Sequence, residues 1–347
     1  MQYSRVYIDA MGYELPPVVV TSTELEARLE TLYSALRIPE GQLEALTGIA
    51  ERRWWDEGHS VADGALAAAR QALASSAVRP DEVEVLIYGG VCRELFEPAT
   101  ACRVAAGIGV SPEAAVYDIS NACLGVLNGI VDIANRIELG QVRAGMVVSC
   151  ETAREINERA IERMLATKSM DTFRLSIATL TGGSGAVAVL LTDGSFSPQP
   201  RRKLVGAVNQ TAPQFHDLCR WGLEAIRPFG FQQFMTTDSV AVLKHGVELG
   251  QRTWASLLRK LGWMKDQVDK VICHQVGSSH RDHILGLLGI DPRKDFSTYP
   301  YLGNIGTVSL PLTAALAEDR EFLQPGDRVA FLGIGSGLNC MMLGLEW

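Results

Sequence analysis

The seven cysteines of this 347-residue chain are an odd number, with no C-x-x-C pair and none of the regular spacing of a disulfide framework. Reduced thiols in a reducing compartment are expected. The six histidines form no cluster beside them, so no structural metal is expected. Positive charge is in deficit: 32 Lys and Arg stand against 40 Asp and Glu, a net charge of −8, with no long basic run. That excludes the electrostatic footprint of a nucleic-acid-binding protein. No apolar stretch reaches the ~18 residues that suggest a membrane span, and residues 1–5 lack the charged and apolar regions of a signal peptide. The chain is expected in the cytoplasm. What it does contain is 47% hydrophobic against 21% charged residues, enough for an ample core in one large or two mid-sized domains.

The patterning predicts strands over 6–10, 83–88, 115–119, 146–149 and 186–191, then a second series over 204–210, 268–273, 296–299, 328–332 and 339–345. Helical patterns lie between them, over 23–36, 61–75, 99–106, 124–139, 240–261, 280–288 and 312–323. Alternating strands and helices argue an α/β architecture. The similar order of the two series points to a duplicated half, with the polar stretch from Thr192 to Lys203 as the junction. Between the strands of the first series, residues 151–181 read as an amphipathic helical segment with Ile156, Ala160, Ile161, Met164 and Leu165 available for burial.

One thiol has a distinctive context. Cys123 follows the apolar stretch 115–119 and the small residues Ser120, Asn121 and Ala122, where an apolar helical pattern (Leu124, Val126, Leu127, Ile130, Ile133) begins. A thiol at a helix N-terminus sits among unpaired N–H groups and the positive end of the helix dipole. Its pKa is therefore expected below the ~8.5 of a free thiol. Taken alone, such a cysteine is better read as a small buried hydrophobe. Two later segments shift that balance: an apolar run ending in Cys273-His274-Gln275, and a glycine-flanked loop, Leu302-Gly303-Asn304-Ile305-Gly306. A thiol nucleophile needs polar partners of these kinds. The specificity lies in their local contexts, not in the three residue types.

These contexts resemble the thiolase superfamily, and within it the ketoacyl-ACP synthase III-like condensing enzymes. Five pieces occur in order: Thr47-Gly48-Ile49 with Glu51-Arg52-Arg53, Asn121-Ala122-Cys123, His274-Gln275, Gly303-Asn304, and Gly333-Ile334-Gly335-Ser336-Gly337. The last is no nucleotide loop, since it lies ten residues from the C-terminus with no following βαβ unit. The resemblance implies a five-layered αβαβα thiolase fold of two similar halves, 1–191 and 204–347, the first carrying the 151–181 insertion. It also implies a homodimer and an acyltransferase. Cys123 would be the nucleophile, His274 and Asn304 would donate to the enolate oxygen, and Ser336 would support the acyl oxyanion beside the Cys123 N–H. The insertion would be a plain surface addition, a wall of an acyl tunnel or a cap on the dimer.

Within that superfamily the residue before Pro98 separates two chemistries. Housekeeping synthases, which decarboxylate malonyl-ACP, carry an apolar residue there that reaches into the partner subunit; this chain has Glu97. A carboxylate in an apolar pocket is poised to accept a proton. The arrangement is similar to the OleA-like enzymes of long-chain olefin biosynthesis, which join two fatty acyl-CoA molecules without decarboxylation and take their base from across the dimer. The Trp and Arg with which housekeeping enzymes grip coenzyme A are replaced by Gln42 and Leu46, and Val276-Gly277 stand where they have Ala-Asn. The resemblance thus implies non-decarboxylative Claisen condensation to a 2-alkyl-3-oxoacyl product, with Glu97 as base, acyl-CoA or acyl-ACP as substrate and no permanently bound cofactor. The alternatives are decarboxylative condensation of acyl-CoA with malonyl-ACP and a non-catalytic partner subunit. No residues are assigned to the CoA phosphates; Arg52, Arg53, Trp54 and Arg220 could hold them, but surface arginines usually only face solvent.

Overall fold

Two half-sheets meet edge to edge in the computed structural model, which describes every residue except Arg227 and Phe229. The first half-sheet runs, from its free edge inward, Ala115–Ile119, Val85–Gly89, Ala144–Glu151, Gly185–Thr192 and Tyr7–Glu14. In chain order that is third, second, fourth, fifth, first. The second runs Lys270–Cys273, Arg328–Gly335, Asn339–Glu346 and Lys203–Thr211, which is the same order with the third strand missing. Within each half the inner pairs are antiparallel and the pairs nearest the free edge parallel. The halves are joined where Tyr7 pairs with Lys203 and Gln2 bridges to Gly206.

Side-chain alternation along the strands sets the layers. On Ala144–Glu151, Met146, Val148 and Cys150 pack with helices Val61–Ala74 and Thr100–Ile108, whereas Val147 faces helix Gly125–Glu138. The second half-sheet packs Phe331, Met341 and Leu343 against that same inner cluster and helix Ser309–Asp319. Its outer face, with Val271, Ala330 and Leu332, meets helices Ser239–Leu261 and Ser278–Leu288. The result is the αβαβα order of the thiolase fold. Strands covered on both faces must be apolar almost throughout, and Ala144–Glu151 and Gly185–Thr192 are buried end to end. The two central helices are buried nearly all round, as their sequences require.

Several expected elements differ. Residues 296–299 form no strand: Asp295 makes one parallel bridge to Val271, and the N–H groups of Thr298 and Tyr299 donate to the Gln275 side chain at 2.7 and 3.0 Å. With those donors taken, no ladder can grow. The helix expected over 23–36 is two, Ser22–Arg28 and Glu30–Leu36, broken at Leu29. A hairpin, Cys219–Ala225 with Phe231–Thr237, arises where no strand was expected. Glu151 is the last residue of a core strand and not part of the insertion. The insertion itself is helices Arg154–Thr167 and Met170–Ser176. They bury Ala160, Ile161, Met164 and Phe173 against Leu25, Leu29, Leu32 and Tyr33, and Leu165 is only partly buried. No helix among the described residues is long and apolar enough to cross a membrane.

The helix that begins just after Cys123 docks through glycine. A Cβ at Gly89 would stand 2.8 Å from the Gly125 carbonyl carbon. Gly89→Ala is therefore expected to cost about 1–3 kcal/mol, the range for overpacking a tight contact. Gly286, with open space around it in helix Ser278–Leu288, gives the contrast: Gly286→Ala should add up to about 1 kcal/mol through helix propensity. Urea denaturation of both variants checks the pair of signs.

Candidate active site

Strand Ala115–Ile119 delivers the chain to Cys123 through a tight turn. Leu124 N–H donates to Asn121 O at 2.9 Å, and Ala122 is held in the left-handed region at φ 45°. That conformation costs a non-glycine residue about 1–2 kcal/mol, so packing must hold it. Part of the hold is visible. Asn121 donates from Nδ2 to Asn128 Oδ1 at 2.7 Å and accepts from Asn339 Nδ2 at 3.1 Å. Helix Gly125–Glu138 then begins two residues after the thiol, with one of its first free N–H groups, Val126, donating to Thr307 Oγ1 at 2.8 Å.

Thr307 lies on the short run that also carries Asn304 and Ser309, and this run brings the other residues in. Asn304 is fixed by its backbone: its N–H donates to Thr181 O at 2.9 Å and its carbonyl accepts from Gly183 N–H at 3.0 Å. Its Oδ1 accepts from Gly306 N–H at 3.2 Å, which turns the amide so that Nδ2 is the atom left to donate. His274 follows strand Lys270–Cys273, its N–H bonded to Leu332 O at 2.9 Å. Its Nδ1 lies 2.7 Å from Ser309 Oγ, and that hydroxyl donates to Gly306 O at 2.8 Å. A hydroxyl has one proton, so with it on Gly306 O the Nδ1–H donates to Ser309 and the neutral ring keeps its lone pair at Nε2. From the opposite side comes the hairpin turn with Ser336: a Cβ on Gly335 would stand 3.4 Å from the Cys123 backbone nitrogen. Cys123, His274, Asn304 and the Ser336 turn are thus tied together through the Asn304–Ser309 run and the Gly335 contact.

Glu97 stands elsewhere. It is exposed on a loop tip beside Leu95 and Phe96, the latter 94% exposed, and among the described residues it forms no hydrogen bond or ion pair. Glu94, by contrast, accepts from Ser60 Oγ at 2.9 Å, Ala62 N–H at 3.2 Å and Arg103 at 2.8 Å. Of the candidate phosphate-binding residues, Arg52 is fully buried on Ser22 and Val20, and Trp54 donates to Gly182 O inside the core. Arg53 donates to Pro16 O, which leaves Arg220 exposed on the hairpin.

The expected low pKa of Cys123 is overturned. Burial pushes its thiol up to about 12, with the neighbouring Cys219 and Glu151 adding to the rise. Although the residue is half-buried overall, its sulfur is desolvated, and that outweighs the helix N-terminus. Burial also pulls His274 down to about 4, with a smaller push from His280. At neutral pH the resting site holds an uncharged thiol and an uncharged imidazole. His280 belongs to the same surroundings, lining with His274, Val276, Ile284, Ile334 and Met342 an apolar cavity. Sequence reasoning missed Thr307, Ser309, Gln275 and Glu151 as parts of the site. Thr307 and Ser309 offered one signal, two hydroxyls just before the apolar run Leu310-Pro311-Leu312.

Residues 57–183 match the thiolase N-terminal domain family, and residues 258–347 match the 3-oxoacyl-[acyl-carrier-protein (ACP)] synthase III C-terminal family. The chain is 60% identical to an acyl-CoA:acyl-CoA alkyltransferase of Shewanella oneidensis, covering 100% of both chains. It is 34% identical to the enzyme of the same name from Xanthomonas campestris, again over 100% of both. The chain belongs to the acyl-CoA:acyl-CoA alkyltransferase family. The crystal structure of cerulenin-bound OleA from Xanthomonas campestris matches at a TM-score of 0.94 with 34% identity, covering 100% of this chain and 98% of that one. Solved variants of that OleA carry substitutions at a glutamate and at a cysteine 26 positions later, the same separation as Glu97 and Cys123 here.

A neutral resting thiol has a measurable consequence. The rate of Cys123 alkylation by iodoacetamide should climb steadily from pH 6 to pH 10 without a plateau, since only the thiolate reacts and its pKa lies at about 12. Peptide mapping across that range checks it; a plateau reached below pH 8 would mean a Cys–His ion pair.

Proposed function

We propose that this chain condenses two fatty acyl-CoA molecules head to head, without decarboxylation, to a 2-alkyl-3-oxoacyl product. The observation that carries the reading is full-length 60% identity to an acyl-CoA:acyl-CoA alkyltransferase in a chain that has Cys123, His274, Asn304 and Glu97 in place. A cysteine-to-serine variant of OleA from Xanthomonas campestris has been solved with lauric acid and lauroyl-CoA bound, which supports acyl-CoA as the substrate here, with acyl-ACP the alternative donor.

In the first half-reaction His274 Nε2 takes the thiol proton and Cys123 Sγ attacks the thioester carbonyl. The tetrahedral oxyanion forms beside the Cys123 N–H and the Ser336 turn, the C–S bond to coenzyme A breaks, and CoA leaves as its thiolate. The new Nε2–H and the Asn304 amide then donate to the carbonyl oxygen of a second acyl-CoA. Glu97 of the partner protomer removes its α-proton. The developing enolate offsets the buried imidazolium, the α-carbon attacks the acyl-cysteine carbonyl, and the new C–C bond expels Cys123 thiolate, which recovers its proton from His274. The α-proton passes from Glu97 to solvent, where the CoA thiolate has been protonated. No permanent cofactor takes part, and we place the enzyme in the cytoplasm as a homodimer whose protomers divide at the junction between 1–191 and 204–347.

Two variants test the roles. His274→Ala and Asn304→Ala should each lower condensation by ~10²–10³-fold, the usual effect of losing an oxyanion donor. Asn304→Ala should still acylate Cys123, seen as a mass shift of the intact protein. Glu97→Gln keeps size and polarity but accepts no proton, so it should acylate Cys123 normally, lose ~10²–10⁴-fold in condensation, and release α-deuterium from labelled acyl-CoA more slowly. Normal condensation by Glu97→Gln would favour the malonyl-dependent reaction.

A further inference from the structure

Glu151 is a buried carboxylate for which the steps above have no use. It ends strand Ala144–Glu151 with only 4% of its surface exposed, and strand alternation turns it inward, on the side of Val147. Its Oε1 accepts from Val91 N–H at 2.8 Å and its Oε2 from Cys92 N–H at 3.1 Å. Against its other side lies Gly306, where a Cβ would stand 3.3 Å from Glu151 Cγ. Gly306 is the residue whose N–H turns the Asn304 amide. The side chain therefore touches two segments at once: the root of one loop and the turn that aims the enolate donor.

The loop that starts at Val91 and Cys92 is the one that ends in Leu95, Phe96 and Glu97. Its far end is fixed separately. Asp118 accepts the N–H groups of Thr100 and Ala101 at 2.9 Å each, and Thr100 Oγ1 accepts from Glu94 N–H at 3.2 Å. Glu151 holds the near end. An exposed tip carrying an apolar residue and a carboxylate can reach another surface in a defined pose only if both roots are fixed, because every residue freed adds conformational entropy to be lost on docking.

We propose that Glu151 is a positioning residue for condensation: its carboxylate holds the root of the Glu97 loop against the Asn304 turn, so that the base lent to the partner protomer is placed by the lending chain. This rests on the reading of Glu97 as a base acting across the dimer. It assigns Glu151 no contact with substrate. Its effect is to be felt in the partner's site through the loop.

Hybrid dimers separate the two claims. The lending chain carries Cys123→Ala and keeps Glu97; the receiving chain carries Glu97→Gln and keeps Cys123, leaving one complete site. Glu151→Gln is then added to the lending chain only. Glutamine sets an NH2 against one of the two N–H groups and loses that bond. Condensation should fall by ~10²-fold, the order that a misplaced catalytic group costs, while acylation of the receiving chain's Cys123 stays unchanged. A residue needed only for stability would give no such split. Glu151→Asp, a shorter carboxylate, provides the same comparison should the glutamine variant fail to assemble. Condensation unchanged by either substitution in the lending chain overturns the proposal. If the parent hybrid, with Glu151 intact, fails to condense while the wild-type dimer does, the reading of Glu97 falls, and this proposal with it.

Discussion

The hydroxyl of Thr307, from the second half of the chain, accepts the first-turn N–H of Val126 in the helix that follows Cys123 in the first half. The residues proposed to carry the chemistry from the second half are anchored beside that joint. A helix start buried between two sheets leaves donors that water cannot reach, and an unmet one costs about as much as a lost hydrogen bond. Thr307 meets the need from a loop 181 residues away in sequence. Because the loop is drawn to the helix, Asn304 and Ser309 arrive with it, and Ser309 in turn takes hold of His274. The site is a seam between two duplicated half-sheets, and one short run of the second half sews it.

The same burial that makes the seam sets its electrostatics. Desolvation raises the thiol of Cys123 and lowers the imidazole of His274, so neither carries charge at rest. In the proposed reaction, charge is created only when a thioester arrives to receive it, with the donors around the site already oriented. Fixed dipoles of that kind stabilise developing charge without reorganising. Ser309 completes the arrangement by holding the imidazole in one orientation, with its hydroxyl proton committed to Gly306 O.

Local pattern made much of this legible. The buried strands are read from apolar runs, and 115–119 coincides with the strand Ala115–Ile119 that leads to the thiol. Cys123, His274 and Asn304 stand out because each lies where a strand or a glycine-flanked turn meets a helix. What stayed hidden depended on distant partners. The side chain of Gln275 takes the donors of Thr298 and Tyr299 and so replaces an expected strand. Burial raises the thiol's pKa, and Cys219, which adds to the rise, sits on a hairpin whose strands, half exposed and without a strong turn signal, are not visible in the pattern. Glu151 looked like the start of a surface helix because its two backbone partners lie 59 and 60 residues earlier.

The central claim is that one kind of substrate supplies both halves of the new C–C bond. The most direct test offers the purified enzyme myristoyl-CoA as sole substrate and identifies the product by mass spectrometry. The expected product is a 2-alkyl-3-oxoacyl thioester containing two myristoyl chains, with free coenzyme A released and no increase on adding malonyl-ACP. A product that forms only with malonyl-ACP present, with carbon dioxide released, would contradict it.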